Sequence, residues 1–346
     1  MAKKHLALFL TALLAFLVPV GAYEIIGVFL PSQSSLPQDR LDAQRAQVYA
    51  SLQKSSIVLI GNSLLDEAVD VPLLSSKIGK NIVSLRSGGA DSAWWYLSYK
   101  NLVVEAPNPP SHVYFFFRDY DLTRPTSRVL GPYGAALREI SLNHEPLLEQ
   151  LAYSQWSDRL RRVFERYCAL YRDVPKFRKS SNATLKRYAA DLLRVSASTP
   201  DRAIKDVFRD DRMDPALLTQ RQIQTSAPTE ESVHLPFERQ VNQSFLPALI
   251  ALSKPRKIPL TFVRMKTREE AILGRQPAEL VRYENALRGY LAHEGCDLID
   301  EASDPRIRIE YFGIGDHLNR SFGRPLFTSL FAAFIIEERS KSKTKA

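Results

Sequence analysis

Ile57-Val58-Leu59-Ile60-Gly61-Asn62-Ser63-Leu64 is the stretch on which the fold turns. Four apolar, mostly β-branched residues run straight into a glycine and two small polar residues, with no alternation of polar and apolar positions. Such a run reads as a strand covered on both faces, as in a parallel sheet. Two similar runs follow, Asn81-Ile82-Val83-Ser84-Leu85 and His112-Val113-Tyr114-Phe115-Phe116-Phe117, and each gives way to polar or Gly-rich residues. Between them lie helix-length segments, Asp66 to Ile78 and the aromatic Ala93 to Glu105, the latter closed by Pro107, Pro109 and Pro110. Strands alternating with helices predict βαβ units and an α/β fold.

The same pattern returns near the C-terminus. A helix is expected at Arg239 to Leu252, a strand at Ile258 to Val263, a helix at Pro277 to His293, a short strand at Asp297 to Asp300 and a last helix at Arg324 to Glu338. Between the two halves the alternation lapses, from about 134 to 238, where Leu160, Val163, Phe164, Tyr167 and Leu170 keep helical spacing. This stretch reads as a helical insertion in a domain covering 56–340. It carries 17 Lys/Arg against 15 Asp/Glu, so it is mixed in sign. A basic tail at 341–346 is expected to be disordered.

The N-terminus bears on compartment. Lys3 and Lys4 precede Leu6 to Ala22, 17 residues without a charge, and apolar residues resume at Ile25 to Leu30. Residues 1–30 therefore read as a signal anchor or a cleaved signal peptide, with the anchor preferred. Residues 31–55 are a Pro/Ser-rich linker and a lead-in helix from Asp39 to Lys54. Either reading places the bulk of the chain outside the cytoplasm, single-pass at the inner membrane if uncleaved. Export argues against nucleic acid as the partner of the net charge of +9. The two cysteines, Cys168 and Cys296, are too few for a disulfide framework or a metal cluster, and no cofactor is implied.

In an open parallel sheet, ligands bind beyond the carboxyl ends of the strands. The residues just past each strand are therefore where a site is expected. Gly61-Asn62-Ser63-Leu64 ends the first, Ser87-Gly88-Gly89-Ala90 comes after the second, Arg118-Asp119-Tyr120-Asp121 after the third, and Gly315-Asp316-His317-Leu318-Asn319 precedes the last helix. A serine, a glycine pair, a polar cluster and a histidine suit acyl transfer. Serine on a tight turn exposes a nucleophile, glycine lets a backbone N–H approach an oxyanion, and histidine supplies a base near neutral pH. Each has a plainer use. Ser63 is a good helix N-cap, the glycines make turns, Asp316 is a solvent-facing loop residue, and Trp94, Trp95, Tyr96 and Tyr99 are core rather than a sugar-stacking platform.

The order of these motifs resembles the SGNH (GDSL-like) hydrolase superfamily. By that resemblance the fold is a flavodoxin-like parallel sheet sandwiched by helices, Ser63 is the nucleophile, Gly89 or Gly88 the oxyanion glycine and His317 the base. The sequence departs from the family twice. The third-block asparagine is replaced by Tyr120, leaving Tyr120 or Arg118 as substitute donors with Asn62 as a further substrate contact. The aspartate three residues before the histidine is Ile314, which leaves Asp316, Asp119 or Asp121, a Ser-His dyad, or an inactive site. The D-H-L-N ending and the anchor resemble the membrane-anchored branch whose relatives act in alginate and cellulose acetylation and in teichoic-acid D-alanylation. That implies an O-acyltransferase placing an acyl group, acetyl by the same resemblance, on a cell-envelope polysaccharide with a membrane-bound O-acyltransferase partner. A carbohydrate acetylesterase, or a silent binding or assembly subunit, remains open on the same residues.

Overall fold

In the computed structural model of the chain, the described residues are 37–53, 56–124, 127–129, 131–153, 236–313 and 316–344. Residues 1–36 and 154–235 lie outside them, so the anchor and most of the helical insertion do too. Among the described residues no helix is long and apolar enough to cross a membrane.

Among the described residues, five parallel strands form one sheet: β1 (Ile57–Gly61), β2 (Ile82–Arg86), β3 (His112–Phe117), β4 (Leu260–Arg264) and β5 (Asp297–Asp300). Their spatial order is β2-β1-β3-β4-β5. The chain steps outward from β1 to β2, then returns past β1 to β3, so the strand order reverses between β1 and β3. Crevices in sheets of this order open at that point.

Helices cover both faces, as the unalternating strands predict. On one side Val58, Ile60, Val83, Phe115, Phe117 and Phe262 pack beneath α1 (Pro37–Ser51), α4 (Ser92–Ser98), α8 (Leu246–Ser253) and α10 (Ala278–His293). On the other, Ile57, Leu59, Tyr114, Phe116 and Val263 pack beneath α2 (Ser63–Ala68), α3 (Val71–Ile78) and α11 (Gly323–Thr344). The aromatic stripe of α4 is core: Trp95 and Tyr99 are wholly buried, Trp94 and Tyr96 nearly so.

Several expected boundaries move. The helix expected from Asp66 to Ile78 is two. Val69 and Asp70 take extended backbone, and the Asp70 carboxylate caps α3 by accepting from the Leu73 N–H at 3.0 Å. Its N-terminus also begins earlier, at Ser63. The expected Arg239 to Leu252 helix is likewise α7 (Phe237–Asn242) plus α8, broken at Gln243 to Phe245. After α4 the backbone widens into a π-helical turn, Tyr99–Val104. Helices α5 (Gly131–Ile140) and α6 (Pro146–Ala152) open the stretch read as an insertion, yet their Leu137, Ile140 and Leu148 join the main core. A short α9 (Arg268–Leu273) follows β4, and α11 runs on to Thr344 through residues expected to be a disordered tail. Cys296 is a buried free thiol.

Candidate functional site

The glycine ending β1 is there for closeness. A Cβ on Gly61 would lie 2.8 Å from Leu65 Cβ and 3.1 Å from Phe116 Cβ, so its absence lets α2 start hard against the sheet. Asn62, not Ser63, caps that helix: its Oδ1 accepts from the Leu64 N–H at 2.9 Å. Its Nδ2 donates to the Ala90 carbonyl at 3.3 Å, tying the turn after β1 to the turn after β2. Asn62 is thus occupied at both ends of its amide, and Ser63 at the first helical position is left half-buried with no capping duty.

His317 meets that hydroxyl. Its Nε2 lies 2.9 Å from Ser63 Oγ although 254 residues separate them. The surrounding motif divides the labour of holding the ring there. Leu318 is buried in the lower core and bridges Phe312 as a short antiparallel pair, and the His317 carbonyl accepts from Gly313 N–H at 2.7 Å. Asn319 caps α11, its Oδ1 accepting from the N–H groups of Phe322 (2.8 Å) and Gly323 (3.0 Å). Arg320 forms a two-pronged pair with Glu67, both contacts 2.6 Å, which staples the histidine loop to α2 one turn beyond Ser63. The Arg320 hydrogen bond and the positive charge around it hold the Glu67 carboxyl below the usual range, against the opposing effect of its burial.

Asp316 does not orient the ring. One carboxylate oxygen accepts from the Arg268 N–H at 3.0 Å and the other is paired with Arg118 Nη1. Arg268 in turn donates from Nη1 to the Gly313 carbonyl at 2.8 Å. Arg118 and Asp316 therefore fasten the histidine loop to the end of β3. Among the described residues no group bonds the His317 Nδ1. Asp121 is buried and pairs with Arg124 at 3.4 Å. Burial pushes its pKa up, with Arg124 and Arg118 opposing. Asp119, at the positive φ of 44°, is pushed up to about 6 by burial against the pull of Arg118. Tyr120, the other expected oxyanion donor, packs its ring on Tyr283 of α10 at 4.6 Å, and burial pushes its hydroxyl to about 12.

The glycine pair lies in the turn after β2. Ser87 to Ala90 form a turn closed by Ala90 N–H to Ser87 carbonyl at 3.0 Å, with Gly89 at φ 70°. A positive φ at the third position is that of a type II turn, where glycine is favoured. Among the described residues no acceptor takes the Gly89 N–H, while the carbonyls of Gly89 and Ala90 are held by Arg128 Nη1 (3.2 Å) and Asn62. Tyr133 lies over the turn: a Cβ on Gly89 would sit 2.6 Å from its Cε1. Gly88 has open space where a Cβ would stand.

Sequence reading missed Arg268, Arg128, Tyr133 and the Glu67–Arg320 pair. Only the first had a local signal: Thr267 and Glu270 form a capping box at the start of α9, a T-x-x-E pattern legible in sequence. A groove of about 410 Å³ along the outer edge of β2, lined by Gln47, Trp94 and Glu139 among others, includes neither Ser63 nor His317.

No family model matches the chain, and no curated protein matches it.

Proposed function

We propose that the chain is an SGNH-type O-acyltransferase of the cell envelope, working through an acyl-enzyme on Ser63. The observation that carries this reading is the 2.9 Å contact between Ser63 Oγ and His317 Nε2 at the point where the strand order reverses. In the reaction the Nδ1–H tautomer of His317 leaves Nε2 free to take the Ser63 proton as Oγ attacks the acyl carbonyl. The Gly89 N–H stabilises the tetrahedral oxyanion. Collapse expels the donor's leaving group, which takes the proton from His317. An acceptor hydroxyl then attacks the acyl-serine, His317 removes its proton, and Ser63 leaves with that proton restored. With water as acceptor the same groups perform ester hydrolysis, so the acceptor that the site admits distinguishes transferase from esterase. The apolar N-terminal segment supports an anchor that keeps this site beside a membrane-bound acyl donor.

Incubation of the full-length protein with an activated acetyl ester tests the reading. Mass spectrometry is expected to find an acetyl group on Ser63, absent from Ser63→Ala and strongly reduced in His317→Ala. Adduct turnover that speeds up on adding an oligosaccharide indicates transfer, and turnover indifferent to it indicates hydrolysis. No adduct in the wild type sinks the catalytic reading and leaves a silent binding subunit.

A further inference from the structure

Glu67 stands one helical turn after Ser63 on α2, and residues four apart on a helix share a face. Arg320 grips its carboxylate through both oxygens, at 2.6 Å each, and comes three residues after His317 on the same loop. Nucleophile and glutamate thus belong to one element, base and arginine to the other, and the two elements meet through both pairs. The pairing keeps the glutamate charged. The Arg320 hydrogen bond is the largest influence holding Glu67 ionised; burial opposes it, and the charges of Arg320, His317 and Arg324 add to it. The interaction between two charges is a single quantity. A histidine whose charge favours the ionised glutamate is therefore favoured as imidazolium by that glutamate in equal measure.

The acidic groups on either side of this pair have partners of their own. Asp316 is held by Arg118 and by the Arg268 N–H, and Asp66 pairs with Arg86 of β2 at 2.9 Å. Arg324 of α11 donates from Nη2 to the Val69 carbonyl at 2.9 Å. Arg320 is the cation nearest to His317 along the chain, and its side chain is 67% exposed against 23% for Glu67. Left unpaired, it would set a positive charge beside a ring that must itself turn positive on taking the Ser63 proton. An exposed ion pair adds little to stability. Here it cancels a charge where the reaction is most sensitive to one.

We propose that Glu67 is the acid partner of the base, a positioning residue that neutralises Arg320 and favours the His317 imidazolium through space. It does so in a chain that carries Ile314, not aspartate, three residues before the histidine. The inference rests on the reading of Ser63 and His317 as nucleophile and base, and adds the charge that supports them. Glu67 stays ionised throughout. The proton passes only among Ser63, His317 and the leaving or acceptor group.

A titration that needs no turnover tests this. Full-length protein carrying isotope-labelled histidine is followed by NMR against pH, the His317 signal being the one missing from His317→Gln. Glu67→Gln keeps the size of the side chain and an acceptor for Arg320 while removing the charge. It is expected to lower the His317 titration midpoint by about half a pH unit, the scale of one charge acting through a partly solvated gap. Adding Arg320→Gln to Glu67→Gln restores neutrality and should recover at least half of that shift, with the pH dependence of Ser63 acylation moving in step. A staple without an electrostatic role predicts the reverse: an unmoved midpoint, and a double variant no better than the single one. A midpoint unchanged in Glu67→Gln, or one that stays low in the double variant, overturns the proposal, with thermal melting confirming that each variant is folded. Absence of a Ser63 acetyl adduct in the separate labelling experiment would sink the acyl-transfer reading without altering the NMR result.

Discussion

Replacing Gly89 with alanine isolates the oxyanion turn, because the two glycines side by side differ so sharply in what a methyl group would meet. At Gly89 the new Cβ falls 2.6 Å from Tyr133 Cε1 and 3.0 Å from its hydroxyl, on a backbone at φ 70°. Left-handed backbone costs an L-residue about 1–2 kcal/mol, and overpacking of this kind about 1–3 kcal/mol. The expected loss is therefore about 2–5 kcal/mol of stability, a fall in Tm of roughly 3–7 °C for a chain of this size. If the turn escapes the strain by rotating its central peptide, the Gly89 N–H turns away from the oxyanion. Loss of such a donor lowers a rate about 100- to 1,000-fold. Gly88→Ala is the matched control, since nothing lies within 4 Å of its Cβ and its φ is not in the left-handed region. It should keep Tm and rate near those of the wild type. Adding Tyr133→Ala to Gly89→Ala removes the clash but not the backbone strain, so it should recover part of the Tm and little of the rate. The assay is stopped-flow acylation by p-nitrophenyl acetate, with thermal melting of each variant. A Gly89→Ala protein that loses the expected Tm yet acylates within about threefold of wild type would refute the role of the Gly89 N–H.

Two further outcomes are expected from the loop anchors and the buried acids. Asp316→Asn disturbs the attachment of the histidine loop to Arg118 and Arg268, so acylation should slow about 10- to 100-fold, the scale of a small misplacement of a reacting group. A loss near 10,000-fold, as when a triad aspartate is neutralised, would show instead that Asp316 acts on the ring. Burial pushes Asp119 up to about 6, and Glu284 and Glu301 to about 7, so the folded chain holds protons that the unfolded chain has already released. Stability from these groups is fully present below about pH 4 and is lost as pH rises through about 6 to 7. Tm should then be higher at pH 5 than at pH 8, and Glu284→Gln should flatten the slope and raise Tm at pH 8. A Tm that rises between pH 5 and pH 8 would overturn that account.

Glu284 also shows why some of the site's surroundings escape a sequence reading. It belongs to a cluster at the end of β4, where the fully buried Arg264 meets Glu284 at 2.6 Å, Asp300 at 3.1 Å and Glu270. Four charges from four elements converge there, and no local pattern in any one of them announces it. Removing the arginine would leave buried carboxylates uncompensated, the costly way to break such a set.

By itself the sequence determined the layered architecture. Apolar strands without alternation, such as Ile57 to Ile60 and His112 to Phe117, have no surface to present to water and must lie between two helical layers. It also pointed to the turns where a site is proposed, because glycines, serine and histidine stand where the strands end and the last helix begins. Only the tertiary structure decided which of those residues meet. Ser63 is released from capping because Asn62 takes the cap, and Asp316 is withdrawn from His317 because Arg118 and Arg268 hold both its oxygens. Hydrogen bonds and ion pairs act over about 3 Å in space and are indifferent to separation along the chain. A neighbour in sequence such as Asp316 can thus be claimed by distant partners, while His317 reaches across 254 residues to Ser63.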